Sequence, residues 1–320
     1  MKRNISSHLQ SIAVIGAGAV GSYYGARLAQ AGHDVRFLLR RDYQAVKANG
    51  LKVTSPDGNI ALDNLRIALN SREIGPVDWV LCALKATSID EALELVRPCV
   101  ASETGIIVLM NGLGLEERFA RWFGPERIFG GLAFTCINRG KPGHVEHLAY
   151  GSITLGHYQN APAELETAAA LWAESKVTVT TSPSLMRARW EKLCWNIPFN
   201  GLAIGAGAIT TDRILADPGL REAARRLMGE VIAVGNADLA SGSEPARIDG
   251  DAVISRMFEL TATMGAYKPS TMTDFVEGKP MEIEAIFGEP LKRAQLLGVD
   301  TPQLVLLTSQ LRTLNRWMNK

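Results

Sequence analysis

The sequence predicts an α/β chain, in which an amino-terminal doubly wound parallel sheet with an antiparallel extension is followed by an all-helical carboxyl-terminal domain. Strand and helix patterns alternate up to about residue 182, as is typical of a parallel sheet. Residues 129–157 instead show short strands separated by turn residues. Beyond Ser182-Pro183 almost every segment has a helical pattern. The predicted domains are therefore residues 1–182 and 183–320.

The first predicted strand, Ser11–Ile15, runs into a glycine-rich turn and a predicted helix at Tyr23–Ala31. The turn reads Gly16-Ala17-Gly18-Ala19-Val20-Gly21. Its first glycine permits the tight turn, its second lets the backbone approach a pyrophosphate, and its third lets the helix lie close to the strand. Backbone amides and the helix dipole would then face the anion. This order of elements predicts a Rossmann-like dinucleotide site at residues 16–21.

The second predicted strand, Asp34–Leu39, ends in Arg40-Arg41. A NAD-specific site usually places an acidic side chain here for the ribose hydroxyls, whereas arginine suits a ribose phosphate. The sequence therefore predicts NADP as the cofactor and Arg40 as a cofactor-binding residue. The alternative is a pair of surface arginines that opens a helix, and Asp42 lies nearby in the sequence.

Polar residues also follow the next two predicted strands, Asp78–Leu84 and Gly105–Leu109, which flank a predicted helix at Ile89–Val100. The carboxyl ends of parallel strands are where such folds bind ligands. Lys85 could neutralise a phosphate or a substrate carboxylate, and Asn111 could orient the nicotinamide or the substrate. Alternatively, each residue only begins the next helix.

From Phe129 to His157, the turn Gly140-Lys141-Pro142-Gly143 separates strand-like segments. A helix is predicted near Ala163–Ser175 and a strand at Val177–Thr181. We expect this region to extend the sheet in the antiparallel sense.

The carboxyl-terminal helices are predicted near Leu185–Ala206, Gly219–Ser241, Arg247–Met264, Glu282–Leu297 and Pro302–Met318. The first of them carries Lys192, Asn196 and Asn200 four residues apart, so that one apolar helix face presents an ammonium and two carboxamides. A small oxyacid would satisfy these groups, although a solvated stripe or amides that satisfy core loops would fit equally well. Pro198 should kink this helix.

Composition is that of an ordinary enzyme: 47% of the 320 residues are hydrophobic and the net charge is +1, which gives no field to attract nucleic acid or acidic lipid. The four cysteines lack a C-x-x-C spacing, and no metal-ligand cluster is visible. We expect reduced core cysteines and no metal. Residues 1–10 lack a signal-peptide core and no run of 18 apolar residues occurs, so a cytoplasmic location is expected.

Taken in order, these residues resemble the ketopantoate reductase (2-dehydropantoate 2-reductase) family from about Ile12 to Leu314. A spaced pattern in the mid-chain strands, Val145, His147, Gly151 and Gly156, also matches. The resemblance implies that the glycine turn, Arg40, Lys85, Asn111 and Glu282 contact the cofactor. It further implies catalytic roles for Lys192 and Glu282, and substrate contacts from Asn111, Asn196, Asn200 and Ser270. Outside this resemblance, Ser270 and Glu282 are weak candidates, because they also suit a helix cap and a first helical turn.

The resemblance implies hydride transfer from NADPH to a 2-oxo acid, 2-dehydropantoate in the family reaction of pantothenate biosynthesis. Lys192 would donate a proton to the developing alkoxide, and Glu282 would hold the substrate or orient Lys192. Three alternatives stay open: reduction of another 2-oxo acid or an imine, a non-catalytic NADP-sensing protein, and a structural or scaffolding helical protein. The expected binding partner is a small 2-oxo acid substrate, and the chain could form a homodimer. We expect it to bind neither nucleic acid nor a membrane.

Overall fold

The computed structural model of the protein describes residues 9–242 and 244–318. It consists of two compact units. The first comprises the described residues up to Met110 together with Leu115–Leu185. The second comprises the described residues from Met186 onward together with the short segment Asn111–Gly114. The chain therefore leaves the first unit for four residues and returns to it.

The strands of the first unit form one ten-stranded sheet within the described part of the chain. They are β1 (Ser11–Ile15), β2 (Asp34–Leu38), β3 (Leu51–Thr54), β4 (Ile60–Leu62), β5 (Arg66–Ala68), β6 (Val77–Cys82), β7 (Val100–Val108), β8 (Ile128–Arg139), β9 (His144–His157) and β10 (Val179–Thr181). Their order is β4-β3-β9-β8-β7-β6-β1-β2-β5, and β10 pairs with β9. β1 pairs in parallel with both β2 and β6. The predicted doubly wound parallel sheet is confirmed.

The helices of the first unit are α1 (Ala19–Gln30), α2 (Tyr43–Asn49), α3 (Ser71–Ile74), α4 (Ile89–Val96), α5 (Leu115–Phe123) and α6 (Pro162–Ala170). Short 3₁₀ turns lie at Ala86–Ser88, Arg97–Cys99 and Pro125–Arg127. The helix predicted to reach Val100 ends earlier, where Pro98 and its neighbours form a 3₁₀ turn instead of a further α-helical turn. β7 then starts at Val100, before the predicted residue 105.

The antiparallel extension of the sheet is formed by β8 and β9, which pair along most of their length. The predicted turn joins them: the Gly140 amide donates to the His144 carbonyl (3.0 Å), and the His144 amide donates to the Lys141 carbonyl (2.8 Å). Two long strands stand where several short ones were expected. β10 was expected to be antiparallel and is instead parallel to β9. The reason is that α6 connects β9 to β10, and a helical crossover returns the chain in the same direction.

A buried polar cluster joins α1 to β9. Arg27 is 0% exposed and donates from Nη2 to the Ser55 hydroxyl at 2.8 Å. The Ser55 hydroxyl lies 2.8 Å from Nδ1 of His147, whose Nε2 lies 3.1 Å from the carbonyl oxygens of Ala149 and Tyr150. Nδ1 also lies 3.8 Å from a carboxylate oxygen of Asp57, so both ring nitrogens of His147 have polar neighbours. His147, part of the family-like pattern, thus fixes β9 against the helix that follows the glycine turn.

The second unit is mostly helical, and the regular elements described in it are all helices, as predicted. Its helices are α7 (Leu185–Gly205), which begins at the unit border, α8 (Thr211–Ala216), α9 (Pro218–Ser241), α10 (Gly250–Met264), α11 (Ser270–Val276), α12 (Glu289–Leu297) and α13 (Pro302–Met318). A π-helical segment, Glu284–Gly288, directly precedes α12. α7 continues through Pro198. The apolar core of the second unit includes the fully buried Trp190, Phe199 and Phe287.

Burial raises the thiol pKa values of the cysteines. Cys82, Cys99 and Cys194 are buried and free, and the free Cys136 is half-buried. Desolvation raises the pKa of the Cys82 thiol to about 12 and that of Cys99 to about 11. Across the described ranges, no cluster of His, Cys, Asp or Glu could hold a metal ion. Nor is any described helix both long and apolar enough to cross a membrane.

The π-helical segment is clamped to α13 by an ion pair. Arg312 donates from Nε and Nη2 to the two carboxylate oxygens of Glu284, at 2.8 Å and 2.6 Å. Hydrogen bonding from Arg312 is the main cause that lowers the pKa of Glu284 below its usual value. Both side chains are substantially exposed, so the pair is screened and contributes less than about 1 kcal/mol to the free energy of unfolding.

We expect Arg312→Gln to lower the thermal unfolding midpoint slightly at pH 7 and progressively less as the pH falls below 4.5, the ordinary value for Glu284. The folded-state pKa of Glu284 is depressed, so its stabilisation is present above the unfolded-state pKa and is lost as the carboxylate is protonated. Arg316→Gln on the same helix is the matched control. An equal decrease in the midpoint at pH 7 and pH 3 would contradict the electrostatic role.

Candidate active site

The glycine turn between β1 and α1 has the geometry expected of a dinucleotide loop. Gly16 has φ +93°, and a Cβ there would lie 2.5 Å from the backbone nitrogen of Leu84, which follows β6. A Cβ on Gly21 would overlap the carbonyl oxygen of Gly16. By contrast, apart from Gly18 itself, its chain neighbours and its own helix, no described heavy atom lies within 4 Å of the position that a Cβ on Gly18 would take. The turn is closely packed on its inner side and open at Gly18.

Helix α1 starts at Ala19, with Gly18 at its N-cap. Among the described residues, no side chain caps this end by a hydrogen bond, and the first turn contains no acidic residue. The positive end of the helix dipole is therefore not neutralised by a local carboxylate. This arrangement suits an anion such as a pyrophosphate. Contacts of residues 16–21 with a cofactor stay a prediction.

Arg40 lies just beyond the end of β2 with its side chain 68% exposed. Its Nη1 lies 3.4 Å from a carboxylate oxygen of Glu91 in the first turn of α4. Asp42, the acidic neighbour, is itself paired with Arg139 at 2.6 Å. Arg139 thus compensates the Asp42 carboxylate, while the Arg40 guanidinium is paired with Glu91 and stays exposed at the end of β2. The sequence pattern did not predict Glu91 as a partner of Arg40.

Lys85 follows β6, as predicted, and its side chain is exposed. It also occupies the N-cap position of the 3₁₀ turn Ala86–Ser88, so the interpretation as a residue that begins the next helical element describes its backbone correctly. The two interpretations are compatible, because the backbone starts the turn while the ammonium extends from it. Its contact with a phosphate or a carboxylate stays a prediction.

In the second unit, Lys192 and Asn111 meet. The Lys192 ammonium donates from Nζ to Oδ1 of Asn111 at 3.0 Å, and both side chains are half-buried. Asn196, one turn further along α7, is 8% exposed. The sequence placed Asn111 at the end of a sheet strand, yet the structure groups it with the helices. Two residues that were predicted from distant parts of the chain thus share one site.

Asn200 is tied into the protein at both ends of its carboxamide and is only 1% exposed. Its Nδ2 donates to the Asn196 carbonyl (2.9 Å), and its Oδ1 accepts from the Thr271 amide (2.9 Å) in the first turn of α11. These bonds hold the start of α11, where Ser270 is exposed. The observed contacts of Asn200 are therefore structural, and direct contact of Asn200 or Ser270 with a substrate stays a prediction.

Glu282 precedes the π-helical segment and is 3% exposed. Its backbone carbonyl accepts from the Ile286 amide at 3.1 Å. A carboxyl group this deeply buried is costly unless polar partners compensate it. Burial thus supports a specific role for Glu282 more strongly than the sequence does, where it could pass for an ordinary first-turn acid.

Comparisons with known proteins agree with this arrangement. The family model described as ketopantoate reductase PanE/ApbA matches residues 12–160, and the model of its C-terminal part matches residues 184–315. A 2-dehydropantoate 2-reductase of Nostoc sp. is 37% identical over 309 residues, which cover 95% of this chain and 94% of the relative.

Two solved structures share both fold and sequence with the chain. The 2-dehydropantoate 2-reductase from Geobacter metallireducens GS-15 is 44% identical, with a TM-score of 0.90 and coverage of 96% of this chain and 99% of the other. The enzyme of the same name from Methylococcus capsulatus is 31% identical, with a TM-score of 0.87 and coverage of 97% and 98%. The similarity extends over both compact units.

Proposed function

The chain belongs to the ketopantoate reductase family, whose members are oxidoreductases that act on CH–OH groups, and we propose that it reduces 2-dehydropantoate to (R)-pantoate with NADPH. This reaction belongs to pantothenate biosynthesis, and the proposed location of the enzyme is the cytoplasm. The observation that carries the proposal is the half-buried Lys192 ammonium fixed by Asn111 at 3.0 Å. Such a group can donate a proton to a carbonyl oxygen that becomes an alkoxide.

The first unit supports the choice of cofactor. The open side of Gly18 leaves room for a pyrophosphate beside the N-terminus of α1. The exposed guanidinium of Arg40 follows β2, where a ribose phosphate would be recognised by a charge-assisted bond. Lys85 would add a second positive charge. These features favour NADPH over NADH, and when bound the cofactor would supply the hydride to the carbonyl carbon.

The second unit would recognise the oxo acid and protonate it. Lys192 would stabilise the negative charge that develops on the substrate oxygen and then donate its proton there. Asn111 would orient the ammonium, and Asn196 and Ser270 would bind the hydroxyl and carboxylate oxygens. Glu282, buried at 3% exposure, would hold the substrate hydroxyl or orient Lys192.

The proposal is tested by following the absorbance of NADPH and NADH with a panel of 2-oxo acids that includes 2-dehydropantoate. We expect turnover with 2-dehydropantoate and NADPH to give the highest kcat/KM. A different 2-oxo acid or an imine as the best substrate would keep the reaction class and correct the substrate. Binding of NADPH without turnover of any compound would instead indicate an NADP-sensing protein.

Replacing Arg40 tests the choice of cofactor. Arg40→Ala should weaken NADPH binding by about 10- to 150-fold, since a hydrogen bond to a charged group contributes roughly 1.5 to 3 kcal/mol. NADH binding should hardly change, because NADH lacks the ribose phosphate. Fluorescence titration with each cofactor measures both effects, and Arg41→Ala is the matched control. If Arg40→Ala binds both cofactors as the parent does, Arg40 does not recognise the phosphate.

Replacing Lys192 tests the proton donor. Lys192→Ala should lower kcat by roughly 100- to 10,000-fold, the usual contribution of a positioned proton donor, while NADPH still binds. The decline in activity at alkaline pH, where the ammonium loses its proton, should disappear with it. Lys279→Ala, an exposed lysine of the same unit, should keep the parent rate. A Lys192→Ala protein that retains more than about a tenth of the parent kcat would exclude the general-acid role.

A further inference from the structure

The π-helical segment next to Glu282 leaves one backbone carbonyl without its regular helical partner. In this segment the Glu289 amide donates to the Glu284 carbonyl, five residues earlier. At the same spacing, the Ala285 carbonyl would need the amide of residue 290. That residue is Pro290, at the start of α12, and proline has no N–H. The Ala285 carbonyl therefore has no helical donor: the Glu289 amide is bonded to Glu284, and Pro290 has no N–H to donate.

The Ala285 carbonyl is satisfied by a distant part of the chain. It accepts a hydrogen bond of 2.9 Å from the amide of Leu113, in the segment Asn111–Gly114. The Leu113 side chain is 3% exposed and belongs to the helical core. Gly112 has φ +106°, and a Cβ there would lie 2.5 Å from Cβ of Ala285. Backbone, side chain and steric fit all fix this segment on the π-helical segment.

This attachment fixes the position of Asn111, the hydrogen-bond acceptor of the proposed catalytic lysine, Lys192. Asn111 is two residues before Leu113, and its Oδ1 accepts from the Lys192 ammonium at 3.0 Å. A proton donor works only when its orientation is held within narrow limits. If the Leu113 amide left the Ala285 carbonyl, the backbone that carries Asn111 would lose the hydrogen bond that holds it on its carboxyl-terminal side.

We propose that Pro290 is a positioning residue for Lys192, which acts by withholding an amide from the Ala285 carbonyl so that Leu113 binds there and Asn111 is held against the ammonium. The proposal rests on the proposed role of Lys192 as general acid. It gives the proline and the π-helical segment a task that neither the family resemblance nor the substrate contacts assign to them.

The test introduces the missing donor. Pro290→Ala supplies an amide that competes with Leu113 for the Ala285 carbonyl. We expect hydrogen–deuterium exchange of the Leu113 amide to become faster, and kcat to fall by about 2- to 10-fold, the range that corresponds to the loss of one hydrogen bond. NADPH affinity should stay at the parent value. Pro218→Ala, at the first turn of α9, is the matched control for the loss of a proline at a helix start.

A double-mutant cycle separates positioning from general damage to the fold. If Pro290 acts through Asn111, Pro290→Ala should lower kcat in the parent and have little further effect in an Asn111→Ala background. Equal decreases of kcat in both backgrounds, or a Pro290→Ala protein with parent kcat and parent exchange at Leu113, would overturn the proposal. Should Pro290→Ala not fold, Gly112→Ala applies the same test by pushing the segment away from Ala285.

The exchange measurement also distinguishes this proposal from the proposed function. Protection of the Leu113 amide does not depend on turnover. If the parent reduces none of the 2-oxo acids, the general-acid role fails, while protection that is lost in Pro290→Ala would still confirm the anchor. If the parent is active but Leu113 exchanges freely, the anchor is wrong and the reductase assignment stands.

Discussion

The helical unit is organised around a charged group that is partly removed from water. An ammonium in a half-buried setting requires oxygen acceptors at hydrogen-bonding distance, since desolvation of an unpaired charge is far costlier than any single packing defect. The unit meets this requirement by taking in four residues from a different part of the chain. Because the acceptor Asn111 is not part of any helix of the unit, the unit must provide it with a fixed point of attachment. The π-helical segment, whose Ala285 carbonyl accepts from the Leu113 amide, is that point.

The first unit is governed by a different constraint, the close approach of backbone to backbone. At the turn after β1 and at the start of α1, atoms are packed so closely that side chains would overlap the neighbouring main chain. At Gly18, the N-cap of α1, the turn is instead open, which leaves space for an anion at the positive end of the helix. The buried cluster of Arg27, Ser55 and His147 then fixes the direction of α1 relative to β9. The predicted anion site and the anchoring of its helix are thus separate features of the same element.

Sequence reasoning succeeded where structure is decided locally. The strand Ser11–Ile15 and the helix Pro302–Met318 have the predicted bounds, because their apolar periodicity and flanking residues suffice to define them. Sequence reasoning failed where contacts between distant parts of the chain decide the structure. The strands β3, β4 and β5 contain three or four residues each, too few for a period to be recognised. The direction of β10 depends on the crossover through α6.

The candidate site divides in the same way. For the glycine turn, Arg40 and Lys192, the residue types alone are enough to predict a chemical role. That Asn111 belongs with the helices could not be read from its surroundings, which are typical of a strand end. The one available signal was the apolar Leu113 between two glycines, an unusual neighbour for an exposed loop. The structural bonds of Asn200 were equally hidden, since an amide that caps a distant helix looks the same in sequence as one that binds a ligand.

The Leu113–Ala285 hydrogen bond also has a consequence for the order in which the molecule is assembled. During synthesis, the Asn111–Gly114 segment leaves the ribosome with the sheet, long before the residues of the π-helical segment are translated. The sheet can form around its own strands in the meantime, since domains generally fold as units during synthesis. Leu113 and its free amide must wait for nearly the whole remaining chain. A nascent or truncated chain could therefore contain a finished glycine turn and still lack a correctly held lysine, so the capacity to bind a nucleotide would arise earlier in the life of the molecule than the capacity to use it.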